Sequence, residues 1–213
     1  MKKIIRILLV DDHAMLRQGL KQILEHDGSM KIVAECLNGI DALNWLGEHD
    51  CDIVLLDISM PEMNGIDFLK QIKHYKSKLP VLVVSAYPED QYALRLIKGG
   101  ASGYLNKGCA AEEVVQAVLN VVEGKVHISP AVARIIANEI NRPDGKLPHE
   151  TLSNREYEIY MQIISAKTVK EIADSTHLSS RTVSTYRTRI LEKLHLHNNA
   201  ELMRYAVENQ LMD

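Results

Sequence analysis

The first half of the chain alternates short apolar runs with stretches whose apolar positions recur at helical spacing. The runs cover residues 4–10, 31–36, 52–56, 80–84 and 103–105, and the amphipathic stretches cover 14–25, 39–47, 65–74, 89–98 and 110–123. Ile53-Val54-Leu55-Leu56 and Val81-Leu82-Val83-Val84 are apolar on both faces, as parallel strands are when helices cover each side of their sheet. The alternation predicts five βα units and a doubly wound α/β domain over residues 1–124.

Beyond residue 125 the pattern changes. Ser129-Pro130 reads as an N-cap with proline at the first helical position, opening a short helix that runs through Ile140. Residues 141–148, Asn-Arg-Pro-Asp-Gly-Lys-Leu-Pro, read as a turn-rich stretch, so 125–148 is predicted to be a linker with a short helix. No strand signal follows. Ser153 with Glu156 three residues on is a capping box, and helical spacing predicts helices over 154–165, 169–175, 180–194 and 198–208. Residues 149–213 should form an all-α domain of four helices.

Composition adds limits. With 213 residues, 46% hydrophobic and 25% charged, the chain suits two soluble domains better than one or a disordered tail. Its net charge of -3 excludes a uniformly basic surface but leaves room for a local basic patch. The three scattered cysteines, Cys36, Cys51 and Cys109, fit neither a metal spacing nor a disulfide framework, which points to a reducing cytoplasm. The N-terminal run is interrupted by Arg6 and stops at Asp11-Asp12 with no small-residue cleavage site, so a buried strand is expected rather than a signal peptide. No stretch approaches the about 20 apolar residues that span a bilayer, and no membrane association is expected.

In a doubly wound sheet, ligands gather beyond the carboxyl ends of the strands near the topological switch point. There the sequence places Asp11 and Asp12, Asp57, Ser85, and Asn106 with Lys107. Carboxylates so close repel one another unless a cation intervenes, and all-oxygen ligation favours Mg²⁺. A carboxylate beside Mg²⁺ and a lysine is arranged to attack a phosphoryl group, with the Ser85 hydroxyl able to bond the oxygens that arrive.

The segments Val10-Asp11-Asp12-His13, Leu56 to Gly65, Ser85-Ala86 and Gly100 to Lys107 resemble the CheY-like receiver family, with its flavodoxin-like fold, over about the first 120 residues. The resemblance implies that Asp57 is the phosphoacceptor. It implies that Asp12 and Asp57 bind Mg²⁺ directly with the Ser59 main-chain carbonyl, and Asp11 through water. It also implies a switch in which Ser85 turns toward the phosphoryl group and Tyr104 repacks. Gly108 departs from the family, where proline often follows the lysine.

In the last domain Val183, Ile190 and Leu194, with part of Tyr186, share one face of a helix whose other face carries Arg181, Ser184, Thr185, Arg187, Thr188 and Lys193. Short polar side chains among cations suit a helix in the major groove. This stretch, with Leu152 to Glu156, Lys170 to Ala173 and Leu178-Ser179, resembles the LuxR-type helix-turn-helix over 149–211. The whole chain is thereby similar to the NarL/FixJ class of response regulators. The resemblance implies that Ser184, Thr185 and Thr188 face base edges while Arg181, Arg187 and Arg189 mainly steady the DNA backbone; Lys193 belongs to the same DNA-facing set by its place on the polar face. Ser184 stands where lysine is usual and Tyr186 where histidine is common.

A cytoplasmic transcription regulator is expected, not an enzyme, with a histidine kinase as phosphodonor, promoter DNA as target and a homodimer on paired half-sites. Two other readings compete. A haloacid-dehalogenase-type hydrolase also forms an aspartyl phosphate, but it needs a second Asp where this chain has Ser59. A phosphorylation-independent regulator would use the receiver to dimerise and would not need Asp11, Asp12, Asp57 and Lys107.

Overall fold

The structure is a computed structural model that describes residues 4–26, 28–140, 147–209 and 211–212. The expected turn at 141–146 and the opening residues 1–3 lie outside the described residues. The chain divides into two units, Met1–Asn141 and Arg142–Asp213.

In the first unit strands and helices alternate as β1 (Ile5–Val10), α1 (Ala14–Glu25), β2 (Met30–Cys36), α2 (Gly39–Glu48), β3 (Ile53–Leu56), α3 (Gly65–Tyr75), β4 (Val81–Ser85), α4 (Glu89–Lys98), β5 (Gly103–Asn106), α5 (Ala111–Val122) and α6 (Pro130–Ile140). The strands form a five-stranded, all-parallel sheet in the order β2-β1-β3-β4-β5. Every residue of β3 and β4 is buried, as their doubly apolar sequences require. Because side chains alternate across the pleat, Ile7, Leu9, Ile53, Leu55, Leu82 and Val84 share one face with Leu20 and Leu24 of α1 and Val114, Val118 and Val121 of α5. The other helices bring Leu46, Phe68, Leu69, Ile72 and Tyr92 into the core. Past α5, Gly124 at φ 84° turns the chain back along the outer edge of the sheet, where His127 pairs in parallel with Gly103 of β5. α6 then packs against α4, with Val132 fully buried.

Asparagine caps, absent from the sequence reading, set two helix starts: Asn38 accepts from Asp41 N–H before α2, and Asn64 accepts from Asp67 N–H before α3. The expected cap of α6 is present, with Val132 N–H donating to Ser129 Oγ at 3.2 Å.

The second unit holds α7 (Asn154–Ile164), α8 (Val169–Thr176), α9 (Ser180–Leu194) and α10 (Asn199–Glu208). The Ser153–Glu156 capping box is formed, and Thr168 with Glu171 makes a second before α8. Ile159, Tyr160, Ile172, Val183, Ile190 and Leu202 make the core of the bundle. Inside it, Glu158 is fully buried and ion-paired with Arg155, which also donates to the Thr176 carbonyl. A 3-10 turn over Pro148–Thr151 precedes α7, a single turn too short to show periodicity. His149 anchors it, with Nδ1 3.1 Å from the Tyr205 hydroxyl on α10.

Candidate functional site

The acidic site lies where the sheet order reverses. β1 and β3 are neighbours with Val10 opposite Leu56, so Asp11 and Asp57 leave adjacent strands at the same level. Asp57 N–H donates to the Val10 carbonyl at 2.8 Å, which continues the ladder one residue past the strand ends. Both aspartates are almost fully buried, at 2% exposed for Asp11 and 3% for Asp57.

The loop after β3 is folded tightly over Asp57. Gly65 N–H donates to the Ile58 carbonyl at 2.9 Å, and a Cβ on Gly65 would stand 1.9 Å from the Asp57 carbonyl oxygen. Glycine is therefore required there for close approach. Ile58 N–H donates to Asp57 Oδ1 at 2.8 Å and fixes one carboxylate oxygen. The other, Oδ2, lies 2.9 Å from Lys107 Nζ, which also lies 2.8 Å from Asp11 Oδ2.

Burial pushes the Asp57 carboxyl up to about 6; Lys107 opposes the rise and Asp11 adds to it. For Lys107, burial works against the charged form, but Asp57 and Asp11 outweigh it and hold the ammonium above its ordinary value. The group is a buried anionic cluster with one lysine set across it.

One member was not singled out in the sequence. His13 Nδ1 lies 2.8 Å from Asp12 Oδ1 and 3.1 Å from Asp11 Oδ1, and ligand atoms of Asp11, Asp12, His13 and Asp57 all lie within 4.8 Å of one another. Its position directly after two strand-end aspartates was the available signal. Hard carboxylate oxygens gathered in so small a volume make the pocket compatible with a metal ion. Ser59 sits half-buried in the loop after β3.

Ser85 is buried at the end of β4, where its Oγ accepts from Tyr87 N–H at 3.2 Å and its carbonyl accepts from Lys107 N–H at 2.8 Å. Tyr104 on β5 is buried too, and its hydroxyl donates to the Tyr87 carbonyl at 2.8 Å. Ser85 and Tyr104 thus hold opposite ends of one residue, Tyr87.

In the second unit α8 and α9 form a helix-turn-helix, with His177 in the left-handed conformation at φ 54° ending α8 and Ser179 capping α9. Val183, Ile190, Leu191 and Leu194 are buried. Arg181, Ser184, Thr185, Thr188 and Arg189 are exposed, and Arg187 is half-buried. The hydroxyls of Ser184, Thr185 and Thr188 donate to carbonyls four residues earlier. Arg187 Nε donates to Asn199 Oδ1 at 2.6 Å, and the Arg189 guanidinium lies 5.9 Å from the centre of the Tyr186 ring. Lys193 is placed differently from the other cations: its ammonium donates to Glu156 Oε2, at 2.7 Å, within the domain's own capping box.

The model of the response regulator receiver domain matches residues 7–119, and that of the bacterial regulatory proteins of the luxR family matches residues 150–206. The chain is a response regulator. The response regulator UvrY of Escherichia coli (strain K12) is 34% identical to it over 208 residues, covering 97% of this chain and 95% of that protein. The response regulator GacA of Pseudomonas aeruginosa is 35% identical over 210 residues, covering 98% of each. The crystal structure of the response regulator ChrA, from a heme-sensing two-component system, covers all of both chains at 29% identity with a TM-score of 0.53. The regulator joins a receiver to a LuxR-type DNA-binding domain and controls transcription through phosphorylation. These matches favour the regulator over the hydrolase reading. No helix among the described residues is long and apolar enough to cross a membrane.

Proposed function

We propose that Asp57 takes the phosphoryl group from the phosphohistidine of a histidine kinase, and that the modified regulator binds paired promoter half-sites as a homodimer through α9. The observation that carries the reading is the division of labour on the Asp57 carboxylate: Oδ1 is held by the Ile58 amide while Oδ2 faces Lys107. Oδ2 attacks phosphorus, the P–N bond breaks and the electron pair returns to the imidazole of the donor. Lys107 then pairs with a phosphoryl oxygen, and the Ser85 hydroxyl, one strand away, donates to another.

Asp11, Asp12 and Asp57, with the Ser59 carbonyl, would hold Mg²⁺, which fits a cluster of carboxylate oxygens better than a softer ion. When bound, the ion would neutralise negative charge on the transferring group.

On α9 the short side chains of Ser184, Thr185 and Thr188 allow close approach to base edges, while Arg181, Arg187 and Arg189 meet phosphates. Lys193 is left to its partner Glu156. The test is intact-mass spectrometry after incubation with acetyl phosphate and Mg²⁺. A gain of one phosphoryl group is expected in the wild type and none in Asp57→Asn. No gain in the folded wild type, or an equal gain in the variant, would reject Asp57 as the acceptor.

A further inference from the structure

The loop that follows Asp57 is tied to a second helix. Gly65 N–H closes its base on the Ile58 carbonyl, and Gly39, the first residue of α2, donates its N–H to the Met63 carbonyl at 3.0 Å. The first four N–H groups of a helix have no partner within it. In α2 the Asn38 side chain takes that of Asp41, and the loop takes that of Gly39. Asn38 Nδ2 also stands 3.5 Å from Glu62 Oε1. Just upstream, the Cys36 carbonyl accepts from Asp11 N–H at 3.1 Å, so residues 36–39 hold both Asp11 and the Asp57 loop.

Between the ties, residues 59–62 form an arch that needs support. Glu62 is in the left-handed conformation, at φ 60°, which a residue with a Cβ adopts at a cost and keeps only where its surroundings dictate it. At the tie itself there is no spare room. A Cβ on Gly39 would lie 2.7 Å from Met63 Cγ, 2.9 Å from Met63 Sδ and 3.0 Å from Phe68 Cβ. The Met63 side chain can turn, but Phe68 Cβ is fixed by the backbone of α3. A methyl group on residue 39 would therefore push the start of α2 away from the loop and strain the bond to Met63.

We propose that residues 36–39 are a brace that sets the spacing between the Asp11–Asp12 pair and the Ser59 carbonyl, and that Gly39 is a positioning residue for Mg²⁺. The inference rests on the ion-binding role proposed above for those groups. Ser59 lies inside the arch, next to the Ile58 tie, so its carbonyl goes where the ties at Ile58 and Met63 send it. Mg²⁺ demands near-ideal octahedral geometry at short ligand distances, so a small displacement of one ligand is felt as lost affinity.

Binding of Mn²⁺ to the full-length regulator, followed as loss of the free-ion EPR signal and competed with Mg²⁺, tests this with no phosphodonor present. Melts in metal-free buffer show whether each variant is folded. Gly39→Ala should weaken binding of both ions about tenfold, the usual worth of groups that orient a metal's ligands. Met63→Ala keeps the backbone bond from Gly39 and should bind as the wild type does. Combined with Gly39→Ala it clears two of the three crowding atoms and should restore most of the lost affinity. Gly47→Ala, on the same helix where a Cβ meets nothing within 4 Å, should leave binding unchanged. A folded Gly39→Ala that binds like the wild type, or a double variant that binds no better than Gly39→Ala, overturns the brace and leaves the proposed function standing. Should Gly39→Ala fail to fold, Asn38→Ser decides: it keeps an oxygen to cap α2, loses the amide that faces Glu62 and should bind severalfold more weakly, and unchanged binding overturns the brace. A wild type that binds neither ion overturns the ion's part in the proposed function and the brace with it.

Discussion

Asp57 is a nucleophile held in surroundings that disfavour its charge. Its carboxyl is raised from 3.8 to about 6, chiefly by burial, so the folded chain binds a proton there more readily than the unfolded chain does. Stability therefore falls as pH rises from about 4 through about 6, and above that range the buried carboxylate is a net liability. In metal-free buffer Asp57→Asn should be more stable than the wild type at pH 7.5, by up to about 3 kcal/mol, since the rise to about 6 already includes the pairing with Lys107. The gap should close as the pH is brought toward about 4, within the window set by the two pKa values. Thermal melts across that range check it, and a variant that is less stable at every pH would refute the account. Ion binding at the cluster would stabilise the wild type and offset the difference.

At the scale of elements, α9 divides its residues between two tasks. Thr185 projects from the exposed face, whereas Lys193 is tied back to Glu156. Thr185→Ala should leave stability within about 0.5 kcal/mol while changing which base is preferred in a half-site. Lys193→Ala should lower stability by about 1 kcal/mol, because Glu156 is buried and loses its cation, and leave DNA affinity as it was. Binding to a panel of half-site sequences, with urea melts alongside, separates the two; a loss of affinity across the whole panel in Lys193→Ala would return that residue to the DNA face.

The same elements show what the sequence could and could not disclose. β3 and β4 were legible because four or more apolar residues in a row admit few other environments, and α7 because Ser153 and Glu156 announce its start. Asp11, Asp57 and Lys107 were legible because each directly follows a strand, and the sheet order then brings Lys107 Nζ to 2.8 Å from Asp11 and 2.9 Å from Asp57. The partner of Lys193 is 37 residues away and that of His149 is 56 residues away, and no local pattern encodes either. The same holds for α6: its cap was readable, but its place against α4 depends on Val132 finding a tertiary neighbour.

At the scale of the whole molecule, the two units have separate cores and should respond separately to damage. Gly65→Ala places a methyl group against the Asp57 carbonyl, and relieving that clash requires the loop after β3 to move. Calorimetry of the full chain should show the receiver transition lowered by several degrees, for a loss of about 2 kcal/mol, with the transition of the DNA-binding unit unmoved. Phosphorylation of this variant should also slow. A shift of both transitions together would mean that the chain unfolds as one cooperative block.

The pairing of His127 with β5 also bears on how the protein is made. The last strand of the sheet is complete at Asn106, but its outward Tyr104 amide is bonded by chain that is synthesised later, at His127. A nascent receiver therefore passes through an interval in which a twisted apolar sheet carries an open side, the kind of surface on which neighbouring polypeptides add strands. Chains released early by a premature stop near residue 120 would remain in that condition and be prone to co-aggregate. Each full-length chain protects itself as soon as the residues around His127 arrive.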